Sequence, residues 1–195
     1  MISHTGRLFL LVVAFLSAGC ATVIAPLSDH DIDRQHGKRT LGAVIEDQAI
    51  EFKTRVNLRR NEAIPGDARI SATSWNGQVL LTGQVPSSET GQAAHQTAFA
   101  IRHVQHVHNE LEVSSRKSWL ARVNDGWITF RVKGRLLFGP DVPGRRIKVV
   151  TENGVIYLMG LVNHVEAEQA VQVARKAYGV QKIVKIFEYI DQPAP

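Results

Sequence analysis

The chain has 195 residues, 44% hydrophobic and 21% charged, which suits one or two globular domains and excludes a disordered polymer. A net charge of +5 favours acidic partners. One cysteine excludes an internal disulfide and any metal or redox motif built on several thiols.

Residues 1–19 read as a signal peptide: Arg7 supplies the positive start, residues 8–16 are unbroken apolar, and Ser17-Ala18-Gly19 are small. The apolar run is about half the roughly 20 residues a membrane-spanning helix needs. Leu16-Ser17-Ala18-Gly19-Cys20 resembles the lipobox of bacterial lipoproteins, with Ser17 where that motif usually has Leu, Val or Ile. This resemblance implies cleavage before Cys20 and acylation of its thiol, palmitate included. Several acyl chains on one residue exceed the two signals needed for stable attachment. Residues 20–38 then read as a lipid-anchored tether, with Pro26 and no sustained periodicity. If flexible, its eighteen residues after the cysteine average roughly 25 Å end to end. Loss of Arg7 with the signal peptide leaves 22 basic and 18 acidic side chains.

From residue 39 the chain repeats at a period of 76 to 78 residues. Residues 69–83 return as 146–160, matching at Arg69/Arg146, Ile70/Ile147, Asn76-Gly77/Asn153-Gly154 and Gly83/Gly160. Apolar residues alternate alike, Val79, Leu81 and Val85 against Ile156, Leu158 and Val162. Asn-Gly between alternating runs predicts a type I′ hairpin, whose central residues need positive φ.

A helix is expected before each hairpin, with Ile50, Thr54 and Leu58 facing inward in the first copy and Ile128, Val132 and Leu136 in the second. Another follows each hairpin. The first starts near Ser87 and turns Ala94, Thr97, Ala98 and Ile101 inward. The second starts at Asn163 with Glu166 three residues on, and buries Ala167, Ala170, Val171, Ala174 and Tyr178 before Gly179 stops it. Final strands are expected over 104–113 and 180–190. The fold class is α+β: two tandem domains, 39–114 and 122–191, each a small three-stranded mixed sheet packed against two helices. The short link predicts that they touch, with Trp75 and Trp119 packing between or beside them.

The helix spacing, the Asn-Gly hairpins ending in Gly83 and Gly160, and the Val104/Val107 and Val180/Ile183 pairs resemble the BON domain. A lipobox followed by two such domains further resembles a family of outer-membrane lipoproteins.

No catalytic constellation stands out, neither a Gly-x-Ser-x-Gly elbow nor a phosphate loop, so a non-enzyme without cofactor is expected. His106 and His108 lie on one side of a strand, with His103 and His95 nearby. They could meet a metal ion, but an exposed strand face opposite Val107, Leu111 and Val113 is the plainer expectation.

Charge is uneven. Residues 40–117 carry eight basic and eight acidic side chains, whereas residues 118–195 carry eleven and seven. Beside the inward face of the second domain's first helix stand Trp127, Phe130, Arg131, Lys133, Arg135 and Phe138. Aromatics beside cations suit a lipid interface, where rings sit at headgroup level and cations meet phosphates. Alternatively Trp127 and Phe130 pack on the neighbouring domain and the cations are merely solvated. The lipoprotein resemblance implies anionic phospholipid binding (phosphatidylglycerol, cardiolipin) through this helix. It points to Trp127, Arg131, Lys133 and Arg135, and Leu137 and Phe138 join by position. In the first domain Ala49 replaces Trp127, while Phe52 matches Phe130. The resemblance also implies a periplasm-facing place at the outer membrane, which Ala21 after the cysteine suits, and a part in envelope integrity. The alternative is an adaptor for outer-membrane assembly, division-site or cell-wall proteins; sacculus binding is a third reading, and nucleic acid is not an expected partner.

Overall fold

The computed structural model describes residues 39–114, 119–139 and 142–190. The expected signal peptide, tether and Cys20 lie outside them, as does the side chain of Trp119. From Gly37 onward the chain forms one compact unit.

Its order is α1 (Leu41–Arg60), β1 (Arg69–Trp75), β2 (Gln78–Val85), α2 (Ser88–Phe99), β3 (His106–Val113), then α3 (Trp119–Phe138), β4 (Ile147–Glu152), β5 (Val155–Val162), α4 (His164–Arg175) and β6 (Lys182–Tyr189). Each half is a three-stranded sheet with its second strand central. The first two strands pair antiparallel across Asn76-Gly77 or Asn153-Gly154, and the third joins parallel after the helix crossover. Asn76 and Gly77 have φ of 52° and 77°, and Asn153 and Gly154 53° and 73°. These are the left-handed values that make Asn-Gly the preferred pair in such turns.

Pleating decides which side chains meet. On the helix-covered faces, Val79 and Leu81 pack with Ile50, Leu58, Ala94, Ala98 and Ile101. In the second half Ile156, Leu158 and Val162 pack with Ile128, Val132, Leu136, Ala167, Ala170, Val171 and Ala174. The alternate residues point the other way. Leu80 and Trp75 meet Tyr157, Met159 and Ile186 in a third core between the two sheets. The architecture is therefore helix, sheet, sheet, helix, and the expected contact between domains is sheet against sheet. Equivalent polar pairs rim it on both sides: Asn76 Nδ2 donates to Glu188 (2.9 Å) and Asn153 Nδ2 to Glu112 (2.9 Å). Lys148 Nζ also reaches Glu51 at 2.8 Å. Trp75 fills this interface, with the Arg39 guanidinium 3.4 Å above its ring centroid.

Helix ends follow the capping signals. Ser87 Oγ accepts from Thr90 N–H, and Asn163 and Glu166 form a reciprocal capping box. Replacing Asn163 by Ala removes the acceptor for an otherwise orphaned N–H, and should cost about 1 kcal/mol in urea unfolding.

Three expectations need correction. Tyr178 is not on the buried face of α4; it is 86% exposed, because the helix ends at Arg175 and the chain turns at Gly179 with φ 90°. Thr97 is only half-buried, and its hydroxyl accepts from Asn61 and donates to Ala93 O. The last strands begin at His106 and Lys182, two residues later than expected. There the backbone is engaged by the hairpins, Gln105 N–H donating to Gly77 O and Gln181 N–H to Gly154 O.

Candidate membrane-docking face

The face begins with what holds α3 in place. Ile128, Val132 and Leu136 recur every four residues and bury against β4 and β5. One turn before Ile128, Asp125 accepts the backbone N–H groups of Asn153 and Gly154, both at 2.8 Å. Thr129 Oγ1 donates to Thr151 Oγ1 at 2.7 Å. Helix and hairpin are thus pinned together by a buried carboxylate and a hydrophobic seam.

Among the described residues, none covers the opposite side of α3. Val123, Trp127, Phe130, Leu137 and Phe138 are each 50% to 88% exposed. At positions i, i+4, i+7, i+14 and i+15 they form one stripe, about half a turn from the core seam. Trp127 and Phe130 meet edge to face at 5.9 Å between centroids, a favoured aromatic geometry. The Arg131 guanidinium lies 5.9 Å from the Trp127 ring centroid, at the outer limit of cation–π attraction. Lys133 and Arg135 are exposed as well. The alternative in which Trp127 and Phe130 pack on the neighbouring domain does not hold, because the interdomain core lies behind the sheets. Val123 was missed by sequence reading, although the four-residue step to Trp127 was there to read.

A second feature escaped sequence reasoning. Asp47 matches Asp125 at a spacing of 78 residues. It accepts from Ser74 Oγ (2.7 Å), Asn76 N–H (2.8 Å), Gly77 N–H (3.0 Å) and Arg39 (2.6 Å). Both aspartates hold the hairpin turn of their own repeat. Burial by itself raises the Asp47 pKa, but the bonds from Ser74, Gly77, Asn76 and Arg39 outweigh it and hold the carboxyl below its ordinary value.

The histidines do not share one exposed strand face. His108 turns toward the interdomain side, half-buried, with Nε2 2.9 Å from Gln78 Oε1. Burial, and then the neighbouring His106, push its pKa down. His106 itself is exposed. Among the described residues no three His, Cys, Asp or Glu side chains are placed to share a metal ion, and no helix is long and apolar enough to cross a membrane.

Residues 46–115 and 124–191 each match the family model of the BON domain. The chain belongs to the BON-domain family. Both hairpin-holding aspartates fall just inside a BON domain, at its first turn. Among its relatives is the outer membrane lipoprotein DolP of Haemophilus influenzae, 37% identical over 153 residues, covering 78% of this chain and 79% of that one. A 21 kDa hemolysin of Actinobacillus pleuropneumoniae is 32% identical over 84% of this chain and 85% of its own length. Osmotically-inducible protein Y of Escherichia coli is 28% identical over 73% of this chain and 72% of its own. The second BON domain carries the aromatic and cationic stripe; in the first, Ala49 takes the place of Trp127 on the equivalent helix.

Proposed function

We propose that the protein is a non-enzymatic envelope lipoprotein that binds anionic phospholipid through α3 of its second BON domain and supports outer-membrane integrity. The observation that carries this reading is the outward stripe of α3, where Trp127, Phe130, Leu137 and Phe138 are exposed beside Arg131, Lys133 and Arg135. A helix of this kind lies in the interface plane, with its apolar side in the acyl boundary and its cations at the phosphates. Each cation near an anionic leaflet contributes about 1 kcal/mol, so the three together make binding measurable without a pocket. Likeness to the outer membrane lipoprotein DolP and the lipobox ending at Cys20 support a place on the periplasmic side of the outer membrane. There the acylated cysteine fixes the protein to a bilayer, and α3 senses headgroup composition.

Residues 21–195, prepared without the lipid, test this by cosedimentation with vesicles. Binding is expected to vesicles containing phosphatidylglycerol or cardiolipin and not to purely zwitterionic ones. It should weaken as the Debye length falls from about 8 Å at physiological salt to about 3 Å at 1 M. No binding to either vesicle would contradict the reading, leave Cys20 as the membrane attachment, and favour the adaptor for envelope proteins.

A further inference from the structure

The first domain carries an apolar face of its own that no described residue covers. Leu41, Ile45 and Phe52 on α1 are 63% to 69% exposed. With Ala49 and Val56 they form a continuous stripe on the side opposite the buried Asp47, Ile50, Thr54 and Leu58. At a spacing of 78 residues, Ile45 matches Val123, Ala49 matches Trp127 and Phe52 matches Phe130. The two BON domains therefore present the same helix face outward. Because the sheets pack back to back with the helices outside, the faces lie on opposite sides of the molecule.

Charge distinguishes what α1 would meet. Its acids each lie beside a basic side chain: Asp47 beside Arg39, Glu51 beside Lys148, and Glu46 beside Lys53 at 3.9 Å, with His103 Nδ1 at 3.0 Å. Arg55, Arg59 and Arg60 are exposed along the C-terminal half of the helix. An apolar stripe with a cationic flank matches an anionic lipid surface. Chain order points the same way, since residues 20–38, which begin at the proposed lipid anchor, precede α1 in the sequence.

We propose that the outer face of α1 is a second docking surface for an anionic bilayer, so that one molecule engages two lipid surfaces, one on each side. This rests on the reading of α3 for the second surface. It implies that the protein can hold membranes together as well as bind them, with α1 on the leaflet that carries the anchor.

The test is vesicle clustering by residues 21–195, followed by light scattering, with cosedimentation run in parallel. Vesicles containing phosphatidylglycerol should cluster at low salt, and zwitterionic vesicles should not. Phe52→Glu should abolish clustering and weaken binding severalfold; Trp127→Glu should abolish clustering and weaken binding further, leaving what α1 holds. The double variant should not bind. Both side chains are exposed, so both variants should unfold at the wild-type urea midpoint. Clustering unchanged by Phe52→Glu, or absent while wild type still binds, would overturn the second surface and leave the α3 reading standing. Binding lost in Phe52→Glu but intact in Trp127→Glu would overturn the α3 reading instead. Self-association without vesicles in wild type but not in Phe52→Glu would make the occupant a second copy of the chain and overturn the lipid assignment.

Discussion

Asp47→Ala is expected to lower the unfolding free energy by about 3–5 kcal/mol, the range for breaking a buried ionic group away from its partners. The carboxylate is 2% exposed and accepts from two backbone N–H groups, a serine hydroxyl and a guanidinium. Its removal strands the N–H groups of Asn76 and Gly77 in the turn that sets the register of β1 on β2, and stranded buried donors carry the full desolvation penalty. The Arg39 guanidinium, now without its carboxylate, loses the contact that holds it over Trp75. Urea unfolding measures the loss, and Asp125→Ala should behave alike with a smaller effect, since among the described residues two donors converge on it where four converge on Asp47. The pH dependence carries the same signature. The folded Asp47 pKa lies below its unfolded value, so its contribution is complete above the ordinary aspartate pKa and is lost as pH falls through the lower folded value. Asp47→Ala should flatten that acid limb.

Trp127→Glu is expected to weaken binding to phosphatidylglycerol vesicles by about 60-fold or more at the α3 face. Withdrawing a large aromatic from the apolar phase forfeits roughly 1.5–3 kcal/mol. A carboxylate introduced beside anionic headgroups removes about 1 kcal/mol more. At 1.4 kcal/mol per tenfold the sum spans roughly 60-fold to about 700-fold. Stability should stay within about 0.5 kcal/mol of wild type, as for surface substitutions generally, because Trp127 is 59% exposed and its ring meets Phe130 and Arg131 of its own helix. That separation of binding from folding makes the variant informative.

The fold was legible where a local rule has one solution. Asn76-Gly77 and Asn153-Gly154 dictate tight hairpins, and their recurrence marks the repeat. Asn163 with Glu166 marked a helix start that capping chemistry then made. The docking between domains was legible only as an expected contact. Its signal lay in Val79-Leu80-Leu81 and Ile156-Tyr157-Leu158-Met159, unbroken apolar runs of the kind expected for strands buried on both faces. Reading only alternate residues hid the second face, which is why His108 was expected in solvent and is instead hydrogen-bonded beside the interface. Asp47 and Asp125 were hidden for a different reason. A carboxylate on an inward helix face looks like an exception to the apolar pattern until the N–H groups of a distant turn are brought to it. Tyr178 shows the converse error, in which helical periodicity was continued past the residue that ends the helix.

The outward stripe of α3 was partly legible for similar reasons. Trp127, Phe130, Leu137 and Phe138 stood out as aromatic and apolar residues off the core seam, and the three cations beside them stood out by charge. Sequence alone could not separate a solvent-facing stripe from one packed on the neighbouring domain; the back-to-back sheets decide that. On α1 the stripe was obscured because Leu41, Ile45, Ala49, Phe52 and Val56 face Asp47, Ile50, Thr54 and Leu58 across the same helix. Apolar residues on both sides cancel the amphipathic signal.

The most direct test of the central claim is cosedimentation of residues 21–195 and of Trp127→Glu with vesicles containing phosphatidylglycerol, at low and physiological salt. The account predicts salt-sensitive binding by the wild type and a loss of at least tenfold in a variant that unfolds at the same urea concentration. Equal binding by the two proteins would contradict it and remove α3 as the membrane-docking face.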